Sequence, residues 1–352
     1  MSYLIFSFAL SFLITLLAIP PIVRLSNIKH IFDMPNGRKS HAVNTPTLGG
    51  VAIFVGLVSS ILFCSSSQEV LSLRYIVFAI LILFFIGLKD DLYRMVVWKK
   101  LVGQIFASFI MIHFGKIQIL TFYGLFGIND LNLISSYLLT GFTIIVITNS
   151  FNLIDGVDCL GGAVAILASL VFGSWFFLVG ATQYALLSFS LIGSLIAFLY
   201  FNRTPAKIFM GDTGSLMVGG ILSLLAIQFI EMNRIMNRYA EYKVVSVPVV
   251  TIAILIIPLF DTLRIFIVRV LKNQSPFYSD RNHLHHQLLN LGFDHIQTTC
   301  MLIFFNILIM GLAFALQGIH GELLLLIIFL ICLLTSFMLS QKVKLVTSYK
   351  NV

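Results

Sequence analysis

A chain of 352 residues with 59% hydrophobic and only 10% charged side chains, at a mean hydropathy of +1.02, is too oily for a water-soluble globular protein. Its net charge of +8 does not require nucleic acid as a partner, because basic loops facing anionic lipid and anionic substrates account for it. The four cysteines, Cys64, Cys159, Cys300 and Cys332, lie in or beside apolar runs without paired spacing, which argues against a disulfide framework or a thiolate metal site.

Apolar runs of about the length a spanning helix needs recur along the chain. They predict an all-α, polytopic membrane protein of about 11 transmembrane helices, at about 3–23, 48–66, 75–88, 101–115, 132–149, 159–179, 183–201, 215–232, 247–270, 299–318 and 322–340. Residues 1–23 lack a charged leading region and a small-residue cleavage site, so they are expected to be a retained first span. No repeat or low-complexity tract divides the chain, and residues 1–352 are expected to form one domain.

Cytoplasmic loops carry excess Lys and Arg. With the N-terminus outside and the C-terminus cytoplasmic, 17 of the 22 basic residues fall inside, leaving Arg74, Lys116, Arg234, Arg238 and Lys243 outside. The acids sort with them. Every aspartate except Asp130 falls on the inner side and all four glutamates on the outer, so the acidic chemistry is expected at one water-facing surface.

The inner segments, at about 24–47, 89–100, 149–158, 202–214 and 271–298, hold the polar vocabulary. In the first, Arg38, Lys39 and His41 read either as an ordinary basic juxtamembrane loop or as a hold on a lipid phosphate. In the second, Asp90 and Asp91 precede Lys100. Neighbouring carboxylates repel and usually persist because a cation or metal offsets them, although solvated helix ends are the plainer alternative. The third, from Asn149 through Asn152, Asp155, Gly156 and Asp158, has no basic residue. Oxygen ligands with glycine flexibility suit Mg2+, and an Asx-rich helix cap is the competing reading. In the fourth, Asp212 lies between Gly211 and Gly214 at the start of a span, where backbone N–H groups and a carboxylate can face phosphate and cation, or simply cap the helix. The fifth carries Arg281, His283, His285 and His286, which suit a diphosphate better than zinc. Asp261 with Arg264, three residues apart in the ninth span, reads as a helix ion pair.

Together these segments offer carboxylates for a divalent cation, cations for phosphates and oily walls for a lipid tail. Phosphoryl transfer between a soluble diphosphate and a membrane lipid needs all three. A transporter would instead place ionisable groups near mid-membrane.

The series Asp33-x-Pro35, Arg38-Lys39-x-His41, Gly49-Gly50, Asp90-Asp91, Lys100-Leu101, Asn152-Leu153-Ile154-Asp155-Gly156-x-Asp158, Phe209-Met210-Gly211-Asp212-Thr213-Gly214-Ser215 and Arg281-x-His283-Leu284-His285-His286 resembles the polyprenyl-phosphate N-acetylhexosamine-1-phosphate transferases of glycosyltransferase family 4. The match runs from about 30 to 290 in the family's motif order. It looks most like the bacterial undecaprenyl-phosphate N-acetylglucosaminyl-1-phosphate transferases that start O-antigen, enterobacterial common antigen or teichoic acid synthesis. The peptidoglycan branch, which uses a muramoyl-pentapeptide nucleotide, tends to three consecutive histidines where this chain has His-Leu-His-His. The resemblance implies a UDP-N-acetylhexosamine and undecaprenyl phosphate as partners, Mg2+ or Mn2+ as cofactor, an inner-membrane location with a cytoplasmic active site, and a possible homodimer. By motif position Asn152 and Asp212 look like the metal-proximal pair and Asp90 with Asp91 like the catalytic acids. Arg38, Lys39, His41, Lys100, Asp155, Asp158, Arg281, His283, His285 and His286 would bind nucleotide, sugar or phosphates. Direct attack by the lipid phosphate and a covalent aspartyl intermediate both remain open. Cys159 departs from the family, standing where glycine is usual.

Overall fold

The computed structural model describes residues 2–33, 45–237, 240–274 and 282–350. Arg38, Lys39, His41 and Arg281, expected to bind substrate, lie outside the described residues. In chain order the helices are α1 (Ser2–Lys29), α2 (Gly49–Cys64), α3 (Ser67–Tyr93), α4 (Val97–His113), α5 (Leu133–Ile154), α6 (Leu160–Leu178), α7 (Thr182–Asn202), α8 (Gly211–Ile235), α9 (Val247–Ile254), α10 (Ile256–Leu271), α11 (Leu284–Asn290), α12 (His295–Ala315) and α13 (Gly321–Lys350). Strands β1 (Phe32–Asp33) and β2 (Thr45–Pro46) pair antiparallel, Phe32 opposite Pro46.

Each of the eleven expected apolar runs falls on a helix or on the bent pair α9–α10, the architecture of a polytopic membrane protein. Among the described residues seven helices are long and apolar enough to cross a membrane, or eight with the bent pair taken as one span. α2 and α4, with 16 and 17 residues, are shorter. The expected straight span at 247–270 is broken by 85°. Pro258 is the cause, because it has no N–H to offer Ile254, four residues back. The Ile254 carbonyl freed there accepts instead from the buried Asn306 amide of α12 at 3.2 Å, which also reaches the Ala253 carbonyl at 3.3 Å, as a break at membrane depth requires.

α8 is the axis of the bundle. Its most apolar 18-residue window is wholly buried, against 28% for α1 and 22% for α13, whose outward faces are apolar. Helices α2, α3, α5, α6 and α9 pack around it. Close approach is made by small residues: a Cβ on Gly50 would lie 2.1 Å from the backbone nitrogen of Gly214, and one on Gly87 2.3 Å from the carbonyl oxygen of Asp212. Without a hydrophobic drive between helices in lipid, such contacts and interhelical hydrogen bonds do the joining. Ser60 of α2 supplies one set, donating to the Ser7 carbonyl of α1 at 2.7 Å and meeting Ser190 of α7 at 3.0 Å. The four cysteines are free thiols.

Candidate active site

The site forms around the first turn of α8. Gly211 has φ +68°, in the left-handed region that suits glycine, and a Cβ there would come within 2.2 Å of the Thr47 carbonyl and 2.6 Å of the Asp91 carboxylate. Asp212 is therefore not its own helix's cap. Asp91, from the end of α3, caps α8 from outside. Its Oδ1 accepts from the Asp212 N–H at 2.9 Å, and its Oδ2 from the Thr213 N–H at 2.9 Å and the Thr213 hydroxyl at 2.5 Å. These are donors that a helix start leaves unsatisfied, so both oxygens of Asp91 are engaged in holding α8.

Asp90, one residue earlier, turns the other way. Its Oδ1 takes the Met95 N–H, closing the α3–α4 turn, and its Oδ2 lies 2.9 Å from Lys100 Nζ. Lys100 also contacts Asp212 Oδ2, so one ammonium bridges two carboxylates. Asn152, in the last turn of α5, donates to Asp212 Oδ1 at 3.1 Å and to the Ser215 hydroxyl at 2.7 Å. Asp155, three residues on, lies against α6, where a Cβ on Gly161 would be 2.5 Å from its Oδ1. Burial first, then the carboxylates of Asp212, Asp91 and Asp158, hold its carboxyl well above the usual range. The pocket thus gathers Asp90, Asp91, Asp155 and Asp212 with Lys100 as the ammonium that pairs two of them.

Asp158 belongs to the same polar loop and faces elsewhere. It is buried, accepts from the Thr204 hydroxyl at 2.9 Å and lies 3.6 Å from His295 Nδ1, while its carbonyl takes the Thr299 hydroxyl at 3.1 Å. These contacts tie the α5–α6 loop to the α7–α8 loop and to α12. Next to it Cys159 has φ +69°, left-handed backbone that favours glycine, and its N–H donates to Asn202 Oδ1 at 2.8 Å.

The histidines close the remaining side. His283 and His285 are buried and their rings stack at 5.4 Å and 9°, and His286 lies 4.4 Å from His285. A Cβ on Gly156 would sit 3.2 Å from His285 Nε2, which puts this cluster against the Asp155–Gly156 turn. Burial, then His286, pushes His285 down to about 3, so its ring is neutral at physiological pH. The ion pair expected between Asp261 and Arg264 is present at 2.9 Å. Asp261 also reaches His283, a contact that sequence spacing does not reveal.

The first inner segment joins the others through backbone. Phe209 donates to the Pro46 carbonyl at 2.7 Å, and Gly49 and Gly50 donate to the carbonyls of Phe209 and Met210, each at 2.9 Å. Polar segments far apart in the chain thus meet at one end of the bundle. The opposite end holds Glu231, which accepts from the Leu120 N–H, and Glu322, which accepts from the Phe126 N–H.

The donor set fits a magnesium ion. Among the described residues, carboxylates and the Asn152 amide make up the set around Asp212, Lys100 is the one ammonium there, and the carboxylates outnumber it. Among the described residues no three His, Cys, Asp or Glu side chains form a ready-made metal cage, consistent with an ion that takes one or two carboxylates and completes its shell with water and substrate phosphate.

A multi-pass helical bundle with an acidic, lysine-bridged pocket at one end is the framework of a membrane-embedded transferase, and comparison with known proteins agrees. Residues 73–230, which carry Asp90 through Asp212, match the glycosyl transferase family 4 profile. A probable undecaprenyl-phosphate N-acetylglucosaminyl 1-phosphate transferase of Bacillus subtilis (strain 168) is 33% identical over 80% of this chain and 76% of its own length. A decaprenyl-phosphate N-acetylglucosaminephosphotransferase of Mycolicibacterium smegmatis is 30% identical over 74% of this chain and 69% of its own. The undecaprenyl-phosphate alpha-N-acetylglucosaminyl 1-phosphate transferase of Escherichia coli (strain K12) is 28% identical over 75% and 70%. The chain belongs to glycosyl transferase family 4.

Proposed function

We propose that the protein transfers N-acetylglucosamine 1-phosphate from UDP-N-acetylglucosamine to undecaprenyl phosphate, releasing UMP, as the first step of a cell-envelope polysaccharide. The observation that carries this reading is the pocket at the start of α8, where Asp212, Asn152, Asp155, Asp90 and Lys100 meet at the end of an apolar bundle. The names of the relatives support the sugar and the lipid. They speak against a muramoyl-pentapeptide substrate, as does the His-Leu-His-His run.

The excess of Lys and Arg in the segments around the pocket supports a site on the cytoplasmic face of the inner membrane, with the N-terminus outside. Eleven crossings then follow if α2, α3 and α4 each span. Asp212 and Asn152 would hold Mg2+, with Mn2+ as a substitute, and Asp155 stands beside them. Bound there, the ion would supply charge neutralisation for the departing UMP. A phosphate monoester with a second pKa of about 6 is already largely ionised at neutral pH, so the lipid phosphate attacks directly without a strong base. Asp90, facing Lys100, positions that phosphate or takes its residual proton. Lys100 meets phosphate charge once drawn away from the carboxylates, and Asp91 acts through the placement of Asp212.

Purified protein given undecaprenyl phosphate and a panel of UDP-N-acetylhexosamines tests this. UMP release is expected with UDP-N-acetylglucosamine, only with a divalent cation, and not from Asp212→Ala. Release from the muramoyl-pentapeptide nucleotide alone, or full activity in Asp212→Ala, would overturn it.

A further inference from the structure

We infer that Asp261 is a positioning residue for the donor nucleotide, acting through His283 and His285 although it sits in α10 and away from the acidic pocket. This rests on the reaction proposed above.

Asp261 is 1% exposed and uses both carboxylate oxygens. Oδ2 lies 2.8 Å from His283 Nδ1, and Oδ1 accepts from Arg264 Nη2 at 2.9 Å and from the Leu284 N–H, the first of α11, at 3.0 Å. Arg264 reaches on to the Asn282 carbonyl, which Gln287 Nε2 also bonds at 3.0 Å. Asp261 and Arg264 therefore anchor residues 282–284 to α10. An ion pair serving α10 alone would need none of the contacts to His283 and Leu284.

The consequence is chemical. A carboxylate on Nδ1 fixes that nitrogen as the proton donor and sets the plane of the ring, leaving Nε2 as the nitrogen that can turn to a ligand. The His283 ring is stacked on His285, and His285 Nε2 is directed at Gly156 beside Asp155. An unbroken set of contacts thus runs from Asp261 through two imidazoles to the wall of the pocket. The 85° bend at Leu255, held by Asn306, delivers Asp261 to this place. The path ends on the Asp155–Gly156 turn beside Asp212 and Asn152, where the departing UMP would lie in the reaction proposed above, so the effect should fall on the nucleotide sugar.

The test is steady-state kinetics on wild type, Asp261→Asn, His283→Gln and the double variant, varying each substrate in turn. Asp261→Asn should raise KM for UDP-N-acetylglucosamine about tenfold, the scale of one charge-assisted hydrogen bond, and leave KM for undecaprenyl phosphate within about twofold. In the His283→Gln background the same change should cost little more, because both substitutions break one path. A loss confined to kcat or to yield, with both KM values kept, would mark Asp261 as structural only and overturn the inference, as would losses that multiply in the double variant. Asp261→Asn leaves Arg264 unpaired in the interior. Should it fail to accumulate as monodisperse protein, Asp261→Asn with Arg264→Gln, which removes both charges, takes its place under the same criteria. Absence of transfer in wild type would sink the proposed reaction itself, a result separate from any of these.

Discussion

Replacing Asp155 by asparagine should make the protein more stable while taking away its activity. The side chains are nearly isosteric, so the close contact with Gly161 is preserved and only the charge changes. In wild type that charge is half-buried, and after desolvation the groups that bear on it most are three carboxylates, those of Asp212, Asp91 and Asp158. A carboxyl raised in the folded state holds its proton more tightly than in the unfolded chain. Its contribution therefore disfavours folding above the ordinary carboxylate pKa and fades as pH falls toward that range. Relief of this like-charge repulsion is worth about 1–2 kcal/mol at neutral pH in the absence of divalent cations. The assay is unfolding of the two purified proteins in detergent across pH, without and with Mg2+. The asparagine variant should melt higher at neutral pH, the gap should close on acidification, and Mg2+ should stabilise wild type more than the variant, by up to about 3 kcal/mol at a hundredfold excess over Kd. A variant that is less stable than wild type at neutral pH without metal, or that gains equally from Mg2+, would refute this account of the pocket.

Asp91→Ala removes the three bonds that start α8, so stability should fall by about 1–2 kcal/mol along with activity, whereas Asp90→Ala, which removes one backbone bond from Met95 and one ion pair, should abolish UMP release with a smaller fall in melting temperature. Cys159→Gly should raise stability by about 0.5–1 kcal/mol, since glycine avoids the left-handed penalty at φ +69° and loses only part of that gain to chain entropy; a lower melting temperature would contradict the strain. Gly50→Ala drives a methyl into the Gly214 backbone and should cost about 3 kcal/mol and the activity, while Gly141→Ala, whose nearest neighbour is Ile112 Cδ1 at 3.6 Å, should be tolerated in the same assays.

Much of the fold was legible because lipid solvation writes helices as long apolar runs, and each expected run is helical. The break in the ninth was not read from the sequence although Pro258 carries its signal, and its support by Asn306 depends on α12 packing alongside, which no local pattern encodes. At the site, the glycine-flanked Asp212 and the Asn152–Asp155 loop meet because α5 and α8 end at the same side. Asp155 and Asp158 looked equivalent in sequence. They diverge because the chain turns between them, leaving one in the pocket and locking the other to Thr204 and α12. Asp91 looked like a partner of Asp90 and proved to be the cap of another helix, a role settled by a contact across more than a hundred residues. Asp261 was readable as a pair with Arg264, three residues away, and not as the partner of His283, since that depends on the path of the chain between α10 and α11.

The most direct test of the central claim is a double-label transfer in inverted membrane vesicles, using UDP-N-acetylglucosamine labelled in both the sugar and its β-phosphate. The account predicts equimolar recovery of the two labels in the lipid fraction, with UMP in the aqueous phase and no product from Asp212→Ala. Sugar label in lipid without the phosphate, accompanied by UDP, would mean simple glycosyl transfer and would contradict it.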